Sequence, residues 1–394
     1  MSARIAHVRH LVSALALVGA TLAAACQDPT AARPPTALGA TPLHRTATPD
    51  ELPSVALAAP DAAFAPDAEL TWDVGSRAID PSQYVCPAST PLFDWIHVAA
   101  LDWIAREPAT FNLLYVNLLA DIVAFDASIL YETEATPQRF GYTGEFTNVM
   151  SRTERDVKSF WDIDGSAVQV VAAHGTVLLD TARVAAVYRT NFRQTAAHAA
   201  VLAQVVHDAV LNSTVLNGGT HPLLSFNAVS FGGSTTRNLP PKVVMGDGFL
   251  EGYAAIGLGD VGPQGVFAHE YAHQIQFARG YTTDPGATTG STAERTRYLE
   301  LMADAYSAYY LTHARGAAMN KFRVARFLEQ FYDIGDCLFT DPAHHGTPNQ
   351  RRAAAQFGFD VADQFQKQGH ILTAAELHAL FVDAYPQIIA PDAP

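Results

Sequence analysis

The residues best suited to chemistry lie in residues 266–277, which contain the motif His-Glu-Tyr-Ala-His at 269–273. On a helix, His269 and His273 are four residues apart and share one face, so both imidazoles can bind one metal ion. Glu270 is adjacent to the first histidine, where its carboxylate can take a proton from an attacking water molecule. No proline interrupts the segment, and Gly280 can end the helix. The spacing therefore predicts a metal site with a general base on one helix.

A catalytic zinc site also needs a third protein ligand and a position left open for water. The segment 298–304 supplies Glu300 and Asp304, again four residues apart, in an otherwise apolar and aromatic stretch. We expect Glu300 to bind the metal and Asp304 to accept a hydrogen bond from the outer nitrogen of His269, which fixes the tautomer of that ring. The alternative is an exposed acidic pair on a surface helix.

Three motifs in this order resemble the gluzincin peptidases, and more specifically the bacterial neutral zinc metallopeptidases. They are His-Glu-x-x-His-x-x-Gln at 269–276, Glu-Leu-x-Ala-Asp at 300–304 and His-Gly-Thr-Pro-Asn-Gln-Arg at 345–351. The resemblance covers about residues 220–360. It implies one zinc ion bound by His269, His273 and Glu300, a zincin-like domain, and hydrolysis of peptide bonds. The loop between His273 and Glu300 has no counterpart that can be matched residue by residue.

Two further parts of the site are expected from resemblances to zinc peptidases. A gluzincin uses a His, Tyr or Arg donor for the developing oxyanion, and His345 is the first candidate and Tyr306 the second. A capping box that begins at Thr347 could explain the His-Gly-Thr-Pro loop without catalysis. The Asn227-Ala228 segment is similar to a strand in the membrane zinc peptidases that process prenylated proteins. It could be an edge strand that receives an extended peptide, or an ordinary internal strand.

The elements that must position these residues are mostly helices. Apolar spacing predicts two helices in 91–131, a long helix over about 181–211, and helices for most of the chain beyond Gly262. Strands are predicted at 224–231, at 242–245 and on both sides of a turn at 174–175. Capping boxes are predicted at Ser291 with Glu294, Thr347 with Gln350 and Thr373 with Glu376. The predicted class is α+β, mostly helical, with a small sheet next to the motif helix.

Composition and the N-terminus indicate where the protein acts. A net charge of −14, with 39 acidic and 25 basic residues, argues against a nucleic-acid partner. Residues 1–25 have the pattern of a secretory signal peptide, and small residues precede Cys26 as in a bacterial lipobox. We expect an exported lipoprotein, anchored to the membrane through Cys26 and facing the periplasm or cell surface. Ordinary cleavage of the signal peptide is the alternative.

The remaining chain divides into three regions by composition and pattern. Residues 26–70 form an Ala/Pro/Thr-rich tether, 71–215 a mainly helical N-terminal region, and 216–394 the expected catalytic region. Cys86 and Cys337 remain as a pair that could form a disulfide in an oxidising compartment, or stay as two buried thiols. The expected substrate is a peptide or protein. A zinc-stabilised lipoprotein that binds a partner without catalysis, and a hydrolase of non-peptide amides, are the other two hypotheses.

Overall fold

The computed structural model describes residues 81–392, except for positions 88, 117–118, 131–137, 236–237, 342–343 and 367–369. The predicted signal peptide, Cys26 and the tether at 26–70 lie outside the described residues. Within the described part, no helix combines the length and apolar character needed to cross a membrane.

Helices make up most of the described chain. The first half contains α1 Pro91–Arg106, α2 Pro108–Val116, α3 Leu119–Phe125, α4 Thr147–Phe160, β1 Gln169–Ala173, α5 Thr181–Thr190 and α6 Ala196–Asn212. The second half contains β2 Ala228–Phe231, β3 Lys242–Gly246, α7 Asp247–Ala255, α8 Gly262–Arg279, α9 Pro285–Thr288, α10 Thr292–Thr312, α11 Lys321–Asp333, α12 Pro348–Gln366 and α13 Ala374–Ile388. The predicted mostly helical α+β class is confirmed, whereas the zincin-like arrangement stays a prediction.

A three-stranded sheet with the order β1-β3-β2 joins the two halves of the chain. Strand β1 is parallel to β3, with Ala173 opposite Gly246, and β2 is antiparallel to β3, with Ala228 opposite Met245. Side chains alternate between the two faces of the sheet. One face packs with α8 and α10, and the other packs with α5 and α6. Both the sheet and its core therefore cross residue 215, the predicted boundary between regions.

The helix that carries the His-Glu-x-x-His motif, α8, packs directly beside this sheet. The side-chain amide of Gln274 donates to Ser230 Oγ at 2.5 Å and to the carbonyl of Lys242 at 3.0 Å. Gly280 ends the helix as predicted, in the left-handed conformation at φ 72°. Helix α10 begins at the predicted capping box of Ser291 and Glu294 and is buried along most of its length, which explains its apolar and aromatic composition.

Two local predictions in the N-terminal half are wrong. The segment after the 174–175 turn is a 3₁₀ helix, Gly175–Leu179, and not a strand. Gly175, at the start of this helix, packs closely against the backbone of Gly219. A Cβ at Gly175 would lie 2.3 Å from the carbonyl oxygen of Gly219. The predicted long helix is divided into α5 and α6, because Thr195 caps a new helix by accepting from the His198 amide and Arg193 has a positive φ of 53°.

The two ends of the described chain lie together. Cys86 and Cys337 form a disulfide across 251 residues of sequence, the first of the two alternatives left by the sequence. The amide of Val85 donates to Asp392 Oδ1 at 2.7 Å, and the amide of Asp392 donates to the Gln83 carbonyl at 3.0 Å. The disulfide thereby fixes the loop between α11 and α12 to both ends.

Candidate metal centre

Three ligand-type atoms from α8 and α10 converge on one point. His269 Nε2 lies 3.2 Å from Glu300 Oε2 and 3.2 Å from His273 Nε2, and His273 Nε2 lies 3.5 Å from Glu300 Oε1. All three side chains are buried. Zinc bonds of 2.0–2.1 Å in tetrahedral geometry place ligand atoms about 3.3 Å apart. The residues present therefore fit a tetrahedral zinc ion with one position left for a non-protein ligand.

The outer nitrogens of both histidines are held by hydrogen bonds. His269 Nδ1 lies 2.8 Å from Asp304 Oδ1, as the sequence predicted. His273 Nδ1 lies 2.9 Å from Gln276 Oε1, and the Gln276 amide nitrogen donates to the Leu299 carbonyl at 2.7 Å. That second bond orients the amide so that its oxygen faces His273. Both rings therefore carry a hydrogen on Nδ1 and present Nε2 to the shared point.

Arg351 is a neighbour of the candidate site to which the sequence analysis gave no role. Its Nε donates to Asp304 Oδ2 at 2.7 Å and its Nη2 donates to Asp304 Oδ1 at 2.6 Å, while Nη2 lies 3.8 Å from Glu300 Oε2. Both partners of this pair are buried. A continuous chain of contacts thus runs from Arg351 through Asp304 to His269. The only sequence signal was the position of Arg351 in the His-Gly-Thr-Pro-Asn-Gln-Arg motif.

The electrostatics of the three ligands favour a cation. Burial lowers the pKa of His273 to about 4. Burial also opposes a charge on His269, but hydrogen bonds to Asp304 and Glu300 outweigh it and raise the pKa of His269 to about 9. Against the effect of burial, attraction to His345, His273 and His269 holds the pKa of Glu300 well below its usual range. The carboxylates of Glu300 and Asp304 thus draw positive charge to this point. A divalent ion bound there would replace the proton on His269.

Glu270, the expected general base, is buried beside this group. Burial raises the pKa of Glu270 to about 7, in spite of the opposing attraction of His269. In the described part of the chain, no hydrogen-bond donor or ion-pair partner lies within bonding distance of its carboxylate. A buried carboxylate that the fold does not use for structure is able to exchange a proton with a substrate or water.

His345, the first candidate oxyanion donor, lies on the loop between α11 and α12. Asp336 Oδ2 accepts from the His345 amide at 2.8 Å and lies 3.3 Å from its Nδ1, and Asp336 Oδ1 lies 2.6 Å from His344 Nδ1. The His345 side chain is 27% exposed, and attraction to Glu300 raises its pKa against the effect of burial. The predicted capping box between Thr347 and Gln350 is present, but it does not use the His345 side chain.

Tyr306, the second candidate donor, is not brought to the three ligands. Its hydroxyl donates to the carbonyl of Ala374 at 2.5 Å, and its ring stacks on Trp161 with centroids 5.2 Å apart. Six helical residues separate Tyr306 from Glu300, a rotation of about 240° that turns its side chain to another face of α10. The expectation that Tyr306 could serve as a donor is therefore corrected.

Asn227 and Ala228 stand at an edge of the sheet. Strand β2 is the last in the order β1-β3-β2, so it is an edge and not an internal strand of the described sheet. The Asn227 carbonyl accepts from the Gly246 amide at 2.8 Å, which marks a hydrogen-bonded pair. The main-chain groups of Ala228 and Ser230 must therefore point away from β3. The Asn227 Nδ2 atom is buried without a hydrogen-bond partner.

Comparison with known proteins gives no relative for this chain. No family model, curated protein or solved structure matches it. The case for its function therefore depends on the geometry of the residues described above.

Proposed function

We propose that the chain is an exported, zinc-dependent metallopeptidase of the gluzincin type. The observation that carries the proposal is the convergence of His269, His273 and Glu300 on one point, next to a buried Glu270 whose carboxylate has no structural partner. Two histidine nitrogens and one carboxylate are a donor set of catalytic zinc sites, which keep one position open. A purely structural zinc site has no need of a buried general base.

Zinc in this site would polarise the carbonyl of the substrate and lower the pKa of a water molecule. Glu270 takes a proton from the attacking water and passes it to the departing amine. Asp304 and Gln276 keep the two imidazoles in the tautomer that presents Nε2. His345, oriented by Asp336, donates to the oxyanion that develops on the substrate.

Strand β2 supports a peptide as the substrate. Ala228 is partly exposed, so its outward N–H and C=O groups can pair with an extended chain, whereas Ser230 is fully buried and does not offer its own. An extended peptide bound there would lie along the sheet that packs against α8. This feature favours a peptide over an unrelated amide.

The test measures zinc content and cleavage of a mixed peptide library, with and without a chelator. Wild-type protein should hold about one zinc ion per chain and cleave peptides only without the chelator. Glu270→Gln should retain zinc and lose nearly all activity, whereas the exposed Glu329→Gln on α11 should behave as wild type. Activity of Glu270→Gln equal to wild type would refute the mechanism.

Zinc binding without cleavage of any amide would favour the non-catalytic binding module, and cleavage of non-peptide amides alone would favour the amide hydrolase.

Export and lipidation form a separate proposal, which depends on the sequence of residues 1–26. Expressed in a bacterial host, the protein should partition with membranes, and Cys26→Ser should release it or block its maturation. The intact mass decides between the alternatives, since a mature N-terminus at Cys26 without acyl groups would refute lipidation.

A further inference from the structure

The loop 334–347, between α11 and α12, forms one side of the candidate metal centre and carries the proposed donor His345. Against the effect of burial, attraction to His345 lowers the pKa of Glu300, so the two side chains lie within electrostatic reach of each other. Gly346 packs closely on α10, since a Cβ placed there would lie 3.0 Å from Leu301 Cδ2. The position of this loop therefore determines where His345 stands relative to the metal ligands.

Hydrogen bonds around Asp336 give the loop its internal shape. The amide of Asp336 donates to the Gly346 carbonyl at 2.9 Å. Its carboxylate accepts from the His345 amide at 2.8 Å and lies 2.6 Å from His344 Nδ1. These bonds join residues of the loop to one another, so they do not fix it to the rest of the protein.

The disulfide supplies a covalent tie between this loop and the rest of the fold. Cys337 directly follows Asp336, and its partner Cys86 lies 251 residues earlier, in the segment that precedes α1. That segment is itself held, because the Tyr84 hydroxyl donates to the Ile389 carbonyl at 2.9 Å, at the end of α13. The disulfide thus connects the loop, next to the carboxylate of Asp336, to an anchored part of the chain.

This disulfide is accessible to solvent. Cys86 is exposed and Cys337 is partly exposed. The rate of thiol–disulfide exchange depends on the access of the attacking thiol to a sulfur atom, and exposed disulfides are typical of labile and regulatory bonds. A bond that is both exposed and adjacent to Asp336 can therefore transmit the redox state of the surroundings to the candidate site.

We propose that the Cys86–Cys337 disulfide is a redox switch: the oxidised protein holds His345 in position, and reduction of the bond lowers the catalytic rate while the metal stays bound. This inference rests on the proposed function, whose regulation it names. The reductant is a dithiol. One of its sulfurs attacks as a thiolate and forms a mixed disulfide, and its second sulfur then displaces the remaining cysteine. Two electrons and two protons pass from the dithiol to Cys86 and Cys337, and the dithiol becomes a disulfide.

Reduction should change the rate more than the metal affinity, because the two depend on different contacts. His269, His273 and Glu300 lie on α8 and α10. Asp304 and Gln276, which orient the imidazoles, are on the same two helices. A misplacement of about 1 Å in a catalytic group can cost about 10²-fold in rate. Reduction should therefore lower kcat about 10-fold or more, with little change in KM.

The direct test compares oxidised and reduced enzyme in a Cys26→Ser background, which leaves Cys86 and Cys337 as the only cysteines. A phosphine replaces the dithiol as reductant, because thiolates bind zinc. Thiol alkylation verifies the state of both cysteines, and circular dichroism verifies that each form is folded at the assay temperature. Reduction should lower kcat about 10-fold or more at unchanged zinc content, and reoxidation with oxidised glutathione should restore it. The matched control, Cys86→Ser/Cys337→Ser, should show the lower kcat throughout and respond to neither reagent.

Amide hydrogen exchange gives a readout that does not depend on turnover. Reduction should speed exchange in the loop at 336–346 and leave the motif helix at 269–276 unchanged. A disulfide that serves only global stability would instead lower the melting temperature, while kcat and loop exchange in the folded protein would stay as they were.

The switch and the peptidase fail in different ways. A reduced, folded enzyme with the kcat of the oxidised form would overturn the switch, and so would loss of zinc or unfolding on reduction. Absence of peptide cleavage in every form would overturn the peptidase. Hydrogen exchange would then decide the remaining question, since unchanged exchange would overturn the switch as well and faster exchange would show that reduction frees the loop.

Discussion

The pair formed by Asp304 and Arg351 provides the sharpest test of how the metal site is held. Asp304 is fully buried and accepts from His269 at 2.8 Å and from Arg351 at 2.7 and 2.6 Å. Arg351→Met would leave two buried carboxylates, Asp304 and Glu300, without their arginine. Removal of one partner of a buried pair typically costs about 3–5 kcal/mol. We expect that loss in the free energy of unfolding of Arg351→Met.

The double variant Asp304→Asn/Arg351→Met should be no less stable than Arg351→Met alone. Asp304→Asn removes the carboxylate that Arg351→Met leaves unpaired. The loss of stability in the double variant should therefore differ from the sum of the two single losses by about 1–3 kcal/mol. Zinc affinity should behave differently. Asp304→Asn removes the anionic acceptor of His269 and should weaken zinc binding about 10- to 100-fold, or about 1.4–2.7 kcal/mol, with or without Arg351.

The assay is urea unfolding of the zinc-free protein in the presence of a chelator, so that metal binding does not contribute to stability. Arg352→Met is the matched control, because Arg352 is exposed, bonds Asn349 Oδ1 at 2.8 Å and lies 5.1 Å from the Tyr332 ring. It should cost less than about 1 kcal/mol. Strictly additive effects of the Asp304 and Arg351 substitutions would show that the pair does not act as a unit, and the reasoning would be wrong.

Three further predictions concern other parts of the site. Gln276→Ala should weaken zinc binding about 10- to 100-fold, as measured by chelator competition; unchanged affinity would mean that the His273–Gln276 bond has no effect on the metal. His345→Ala should lower kcat about 10²- to 10³-fold with normal zinc content, whereas Thr347→Ala should lower stability by about 1 kcal/mol and leave kcat unchanged; a wild-type kcat for His345→Ala would remove it from the mechanism. Replacement of both Cys86 and Cys337 by Ser should cost about 2–5 kcal/mol in urea unfolding, and thiol alkylation of the native protein should find both cysteines blocked.

The parts of the fold that were predictable from sequence are those with local causes. The capping boxes at Ser291 and Thr373 and the glycine end at Gly280 each involve residues within a few positions of one another. The relation of His269 to His273 is equally local, because helical spacing alone puts both on one face. The same spacing excludes Tyr306 as a partner of Glu300 on α10.

The parts that could not be predicted depend on contacts between distant segments. Arg351 is 47 residues from Asp304, and Gln276 is oriented by the carbonyl of Leu299, 23 residues away. Neither partner is indicated by periodicity. The 3₁₀ helix after β1 also packs against a distant segment, since a Cβ at Gly175 would lie 2.3 Å from the carbonyl oxygen of Gly219. The strand predicted for Thr-Val-Leu-Leu at 176–179 is therefore wrong, because apolar β-branched composition alone does not determine a strand.

In the proposed mechanism, different parts of the fold support metal binding and catalytic rate. The ligands and the groups that orient them, Asp304 and Gln276, all lie on α8 and α10. The proposed donor His345 lies instead on the α11–α12 loop, which Asp336, the disulfide at Cys337 and the capping box at Thr347 hold in place. The hydrogen bonds of Asp304 and Gln276 to the two imidazoles do not involve that loop, so loosening it should lower kcat more than zinc affinity. Substitutions on α8 and α10 should lower zinc affinity first, because they act on the imidazoles themselves.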